Sequence, residues 1–118
     1  LNRIAFFDIG IMPLEDNEWN RGKCGFKLLQ YMGIGIPAVA SPVGVNSMII
    51  REGHNGFLAN TEKEWEDKLS FLLGNPAEWQ HLGRNARETV EKGYSVKVML
   101  PRLVQVLREV CGEENLRA

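Results

Sequence analysis

The sequence has 118 residues, of which 44% are hydrophobic and 25% are charged, and a formal net charge of -1. This length and composition are typical of one globular domain with its own core. The balance of 14 basic and 15 acidic side chains argues against a nucleic-acid-binding protein with a broad basic face. The two cysteines, Cys24 and Cys111, form neither a metal-binding spacing nor a disulfide framework, which favours a reducing, cytoplasmic environment.

The start of the sequence predicts a longer parent protein. The chain opens at Leu1 without a signal peptide or a helix cap, and we interpret this start as a cut through a longer protein. No apolar run reaches the roughly 18 residues of a membrane span. Any membrane contact is therefore expected to be peripheral and to come from the parent. The polar tail, residues 112–118, is predicted to fray.

In the first half of the chain, short apolar runs alternate with helical patterns. The apolar runs are predicted as strands at residues 9–12, 38–40 and 56–59. A helix begins near Phe26, a short one is capped by Asn46 or Ser47 and runs through Arg51, and residues 14–22 are predicted as a loop. Strands separated by helices indicate a parallel βαβ sheet. Such a thin sheet leaves an edge that should pair with strands outside the sequence.

The second half is predicted to be helical. Asn60 or Thr61 caps a helix, residues 74–76 break the chain, and a last helix starts at Ser95. The first of these helices has its apolar stripe at Trp65, Leu69, Leu72 and Leu73. The next has its stripe at Trp79, Leu82, Ala86 and Val90. Pro101 lies inside the last helix and predicts a kink or a restart, because it cannot donate a backbone hydrogen bond.

The clearest chemical signal lies in residues 19–27, which join the first strand to the next helix. Ligands of open parallel sheets bind at the carboxyl ends of the strands, and a helix start offers unpaired N–H groups. Glycines there let a ligand approach the backbone closely. The glycines are Gly22 and Gly25, and the cations are Arg21, Lys23 and Lys27. This combination predicts a diphosphate site, but a helix start with a solvated basic face explains the residues equally well.

Other phosphate and metal motifs do not fit the same segment. Lys23 is followed by Cys24 rather than by Ser or Thr, so the segment is not a P-loop. Gly33 and Gly35 end a helix instead of opening one, which excludes a dinucleotide fingerprint. No Asp-x-Asp metal motif occurs. Asp8 precedes its strand, which argues against a receiver-like signalling domain with a phosphoacceptor aspartate.

Residues 25–41, which begin Gly-Phe-Lys-Leu-Leu-Gln-Tyr-Met-Gly, resemble the donor-site helix and following strand of family 4 retaining glycosyltransferases. The family pattern there is roughly Glu-Gly-Phe-Gly-x-x-x-Leu-Glu-Ala-Met-Ala-x-Gly-x-Pro-Val-Val-Ala. The resemblance continues in the family's order through residues 42–44, 49–58, 72–76 and 82–87. It implies the C-terminal half of a GT-B domain, a Rossmann-like nucleotide-sugar-binding unit truncated at its N-terminus that occupies residues 1–118.

The resemblance also implies a function and a site. The parent would transfer a hexose from a nucleotide-sugar donor, with retention, to a glycan or lipid-linked acceptor, without a metal or other cofactor. Its substrate-binding residues here would be Arg21, Gly22, Lys23, Gly25, Phe26, Lys27 and Gln30. The catalytic residues and the N-terminal domain, a partner within the same parent chain, would lie outside the sequence. The chain alone is therefore expected to be inactive.

Two positions depart from the family pattern. Members often have two glutamates eight positions apart, and these fall at Gly22 and Gln30. In the family the second glutamate binds ribose hydroxyls, and the Gln30 amide can still donate and accept such hydrogen bonds without a charge. The alternative function is therefore a non-catalytic module that binds a nucleotide or phosphate on the same fold.

Several other conspicuous residues have ordinary structural explanations. His54 is predicted as a turn residue, and Cys24 lacks a nearby histidine that would support a nucleophilic role. Trp65 and Trp79 lie at core spacing. Trp19 is predicted to pack over the helix start, with stacking on a ligand as the alternative.

Overall fold

The computed structural model describes residues 3–112. Three strands, β1 (Gly10–Met12), β2 (Ala38–Ala40) and β3 (Phe57–Leu58), form one parallel sheet in the order β1-β2-β3. Ile11 lies beside Val39, and Val39 lies beside Phe57. The predicted α/β class with a partial parallel sheet and a helical C-terminal part is confirmed.

Six α-helices accompany the sheet in the described residues. They are α1 (Glu18–Arg21), α2 (Phe26–Gly33), α3 (Asn46–Ile49), α4 (Glu62–Gly74), α5 (Pro76–Gly93) and α6 (Val96–Cys111), and a 3₁₀ turn (Ile4–Phe6) precedes them. None of these helices is long and apolar enough to cross a membrane. The tail predicted to fray lies, from residue 113 onward, outside the described residues.

The predicted loop at residues 14–22 contains α1, which is a correction. Asn17 caps this helix, and its Oδ1 accepts a hydrogen bond of 2.8 Å from the Asn20 amide. The Asn20 side chain in turn donates to the Glu15 carbonyl at 2.9 Å. These local bonds form a helix of one turn, which is too short to produce an apolar periodicity.

The expected cap and end of α3 are also wrong. The cap of α3 is Val45 rather than Asn46 or Ser47, and the helix ends at Ile49. Asn46 lies buried inside the helix, where its side chain donates to the Ser41 carbonyl at 3.1 Å. In α6 the helix continues through Pro101 without a restart, and the predicted kink stays a prediction.

Thr61 caps α4, as one of the two predicted alternatives, in a reciprocal capping box. Its hydroxyl accepts from the Glu64 amide at 3.2 Å, and the Glu64 carboxylate accepts from the amides of Asn60 (2.6 Å) and Thr61 (3.2 Å). The bonds from Asn60 and Thr61 hold the pKa of Glu64 below its usual range. The stabilisation by this carboxylate is therefore present at neutral pH and is lost as the pH falls through the lowered pKa.

The core has two parts, one on each face of the sheet. The first is built mainly by α2 and the strands, and its fully buried members include Leu28, Met32 and Ala38. The second is formed by Val39, Ala59, Leu72 and Leu82, with the half-buried Trp65 and Trp79 packed against it. The predicted core role of these two tryptophans is confirmed.

One predicted core position on α4 is wrong, and the first residue of α2 is also exposed. Leu73 is 66% exposed because it lies about 100° around the helix from the buried Leu72. Phe26 is 65% exposed. It is the first residue of α2, at the carboxyl end of the sheet, where no other element covers it.

Candidate functional site

A cleft of about 470 Å³ opens at the carboxyl end of β1, between that strand and the start of α2. Its lining residues are Met12, Pro13, Leu14, Gly22, Lys23, Cys24, Gly25, Phe26 and Lys27. We call this the β1–α2 cleft. Its place at the sheet edge is where open parallel sheets bind ligands.

The floor of the β1–α2 cleft is the N-terminus of α2. Gly25 is the N-cap and adopts the left-handed conformation, with φ of 68°. A side chain here would be strained, and its Cβ would lie 2.7 Å from Ile49 Cδ1. Because glycine has no side chain, no capping group at this position accepts from the first-turn N–H groups. These donors remain available to a ligand.

The charge of the β1–α2 cleft is positive. Lys23 and Lys27 both line it and are exposed, and no lining residue is acidic. The exposed thiol of Cys24 also lies in the lining, but no histidine accompanies it there to act as its base. Cations and open backbone N–H groups suit an anionic ligand.

Five of the seven predicted substrate-binding residues meet in the β1–α2 cleft. They are Gly22, Lys23, Gly25, Phe26 and Lys27. Gln30 is half-buried on α2 and lies outside the lining. Arg21 also lies outside it, and its guanidinium is paired with Asp16 at 2.6 Å. This hydrogen bond holds the pKa of the Asp16 carboxyl below its usual range.

Sequence reasoning missed the apolar wall of the cleft and the residues that brace it. Met12, Pro13 and Leu14 form that wall, and the end of a strand followed by proline was the available signal. The buried Ser41 accepts from the Leu14 amide at 2.9 Å through its hydroxyl. Through its carbonyl, the same residue accepts from the Asn46 side chain. The loops after β1 and β2 are thereby joined under the cleft.

Two further residues with sequence predictions, Trp19 and His54, lie outside the lining of the β1–α2 cleft. Trp19 is 82% exposed, so the prediction that it packs over the helix start is wrong. His54 lies in the turn before β3, as predicted, and its carbonyl accepts from the Asn85 side chain at 2.9 Å. Within residues 3–112, no three His, Cys, Asp or Glu side chains are arranged to hold a metal ion.

Comparison with known proteins identifies the family. Residues 4–105 match a family described as glycosyl transferase-like. The chain belongs to this glycosyl transferase-like family. It is 27% identical, over 88 residues, to a trehalose synthase of Pyrococcus horikoshii, a match that covers 75% of this chain and 21% of that protein.

Two solved structures share the fold. A sucrose-phosphate synthase of Thermosynechococcus elongatus superposes with a TM-score of 0.83 at 19% identity, over 94% of this chain and 27% of that one. The C-terminal domain of a group 1 glycosyl transferase from Francisella tularensis superposes with a TM-score of 0.68 at 20% identity, over 80% of this chain and 47% of that one. The chain spans less than half of each of these three proteins.

Proposed function

We propose that the β1–α2 cleft binds the diphosphate of a nucleotide-sugar donor, as part of a longer retaining glycosyltransferase. One observation carries the proposal: Lys23, Lys27 and the open start of α2 face the same cleft, whose lining contains no acidic residue. A diphosphate carries charge that these cations and N–H groups can balance together. The family of the chain supports the same class of substrate.

In the proposed reaction, the bond between the anomeric carbon of a hexose and the diphosphate oxygen breaks, and an acceptor hydroxyl forms the new glycosidic bond. Negative charge develops on the leaving nucleoside diphosphate. Lys23, Lys27 and the amides at the start of α2 would stabilise this charge without moving, which lowers the barrier. The acceptor's proton and the configuration at the anomeric carbon are controlled by groups we assign to the rest of the parent.

Two predicted site residues outside the lining keep proposed roles. Gln30 lies three residues after Lys27 on α2, so their side chains lie on neighbouring parts of the helix surface. Its amide would bind a ribose hydroxyl once a nucleotide extends along α2. Arg21 would have to leave Asp16 before it could reach the diphosphate, and this exchange of partners needs no change in α1 itself.

A non-catalytic binding module remains the second candidate. It is favoured by Gly22 and Gln30, which occupy the positions where the resembling family often has glutamates. Both candidates predict diphosphate binding and no turnover by these 118 residues alone. They differ in whether the longer parent transfers a sugar.

We further propose that α6 packs against the rest of the parent chain. Its exposed apolar residues follow helical spacing, at Val96, Met99, Leu100, Leu103, Val106, Leu107 and Val110. A stripe of this length is unusual on the free surface of a monomer. A structure of the longer parent in which this stripe remains in contact with solvent would contradict the proposal.

Calorimetric titration of the chain with UDP, GDP and ADP tests the diphosphate site. We expect saturable binding of at least one of them, which weakens with added salt because the contacts are ionic. In Lys23→Ala the affinity should fall about tenfold, since a charge-assisted hydrogen bond is lost. Lys63→Ala is the matched control, because it removes the same charge from α4, where Lys63 pairs with Asp67.

The results of these titrations distinguish binding at the β1–α2 cleft from binding by general charge or at another site. Equal loss of affinity in Lys23→Ala and Lys63→Ala would mean that general charge, and not the β1–α2 cleft, attracts the nucleotide. Binding that Lys23→Ala and Lys27→Ala leave intact would place the nucleotide elsewhere. Absence of binding by the chain and by its longer parent would contradict the diphosphate assignment.

A further inference from the structure

The exposed position of Trp19 is unusual for a tryptophan. The other two, Trp65 and Trp79, are half-buried against the second core cluster, and the Trp79 indole donates to the Leu72 carbonyl at 2.7 Å. Trp19 is 82% exposed. Tryptophan is highly buried on average, since its large apolar surface is costly to leave in water. This side chain is therefore a candidate for contact with a ligand.

The segment that presents Trp19 is held in place. The Asn17 side chain caps the start of α1, and Arg21 at its end forms an ion pair with Asp16 at 2.6 Å. Gly44 also lies directly against the backbone of Arg21. A Cβ added at Gly44 would be 2.7 Å from the Arg21 carbonyl oxygen. Trp19 therefore lies on a short helix that is fixed by a cap, an ion pair and a close backbone contact.

Trp19 also lies beside the β1–α2 cleft along the chain. A Cβ on the cleft residue Gly22 would lie 3.5 Å from the Trp19 carbonyl oxygen. Four residues after Gly22 in the sequence, the cleft residue Phe26 is itself 65% exposed. Along the chain, exposed aromatic residues therefore stand before and after Gly22 and Lys23, which belong to the segment to which we assign the diphosphate.

We propose that Trp19 stacks on the pyranose ring of a sugar at the mouth of the β1–α2 cleft. The proposal rests on the function proposed above. A pyranose ring has an apolar face of C–H groups, and a flat aromatic ring provides an apolar surface that can cover it. The sugar can be the one attached to the donor diphosphate or one belonging to the acceptor. The shared chemistry is a pyranose face, and the experiment distinguishes the two sources.

The test compares Trp19→Leu, which keeps apolar bulk, with Trp19→Phe, which keeps an aromatic face. Each variant is titrated with UDP and UDP-glucose, with the GDP–GDP-mannose and ADP–ADP-glucose pairs, and with methyl glucosides and mannosides. Met48→Leu is the matched control. Like Trp19, Met48 is a large apolar residue on a short helix, is 80% exposed and lies outside the cleft lining.

For a donor sugar, Trp19→Leu should weaken the sugar nucleotide roughly fivefold and leave the free diphosphate unchanged, whereas Trp19→Phe keeps most of the affinity. For an acceptor sugar, only the glycosides should weaken. Wild-type binding should also shift the tryptophan emission to shorter wavelength, and this shift should vanish in Trp19→Leu.

Unchanged binding of every sugar in Trp19→Leu, or an equal loss in Met48→Leu, would overturn the stacking proposal. In that case only the UDP, GDP and ADP titrations would test the diphosphate site. If neither the chain nor its longer parent binds a free diphosphate, the function proposed above fails instead, and the response of the glycosides to Trp19→Leu still decides whether Trp19 stacks on sugars.

Discussion

Gly83→Ala is expected to destabilise the chain by about 3 kcal/mol or more, a large part of the stability of a typical domain. An added Cβ would lie 2.0 Å from the carbonyl oxygen of Gly35 and 2.9 Å from its carbonyl carbon. Neither backbone can move aside easily. Gly83 is inside α5, and Gly35 lies in the turn that closes α2, where its amide donates to the Met32 carbonyl at 3.0 Å.

The chain has a matched control for this substitution in the same helix. Gly93 is the last residue of α5, and a Cβ there would meet no atom within 4 Å. Gly93→Ala should change stability by less than about 1 kcal/mol, because it affects only the backbone entropy of the helix. Urea and thermal unfolding of both variants measure the difference. Similar stabilities for Gly83→Ala and Gly93→Ala would show that α2 and α5 do not approach as closely as the structure has them.

Gly44→Ala is expected to weaken diphosphate binding about tenfold, although Gly44 does not line the β1–α2 cleft. A Cβ would lie 2.7 Å from the Arg21 carbonyl oxygen and 3.2 Å from Arg21 Cα. Arg21 directly precedes the cleft residues Gly22 and Lys23. Relief of this contact would shift them by a fraction of an ångström, which suffices to misalign charge-assisted hydrogen bonds.

Gly53→Ala controls for backbone strain. Gly53 and Gly44 have similar left-handed conformations, with φ of 70° and 57°, but a Cβ on Gly53 would only touch Phe57 at 4.0 Å. Both substitutions should therefore cost about 1 kcal/mol of stability from strain. Only Gly44→Ala should also weaken binding in the calorimetric titration. Equal affinities in the two variants would contradict a role of the Gly44–Arg21 contact in shaping the cleft.

The sequence predicted the sheet well where the signal was local, and five of the seven predicted site residues line one cleft. Short apolar runs between helical patterns indicated parallel strands, and the segment from Gly22 to Lys27 follows directly from a strand end and a helix start. The prediction for Leu73 was wrong because a periodic pattern does not show how wide the buried stripe is. Leu72 and Leu73 both fit a helical stripe, and packing against the sheet selects only one.

Contacts between distant parts of the chain were not predictable in the same way. Ser41 binds the amide of Leu14 across 27 residues, and nothing in either segment indicates the other. The pairing of Arg21 with Asp16 depends on α1, a single turn that has no periodicity. The exposure of Trp19 is likewise set by which elements do not cover it, and this is a property of the tertiary structure.

Backbone amide NMR shifts of the chain during titration with UDP, GDP or ADP test the central claim most directly. We predict saturable shifts concentrated at residues 22–27, with the first amides of α2, Phe26 and Lys27, among the largest. A second groove, lined in part by Arg51, Lys92 and its ion-pair partner Glu88, provides an internal comparison. Saturable shifts centred on that groove, with residues 22–27 unaffected, would contradict a diphosphate site at the start of α2.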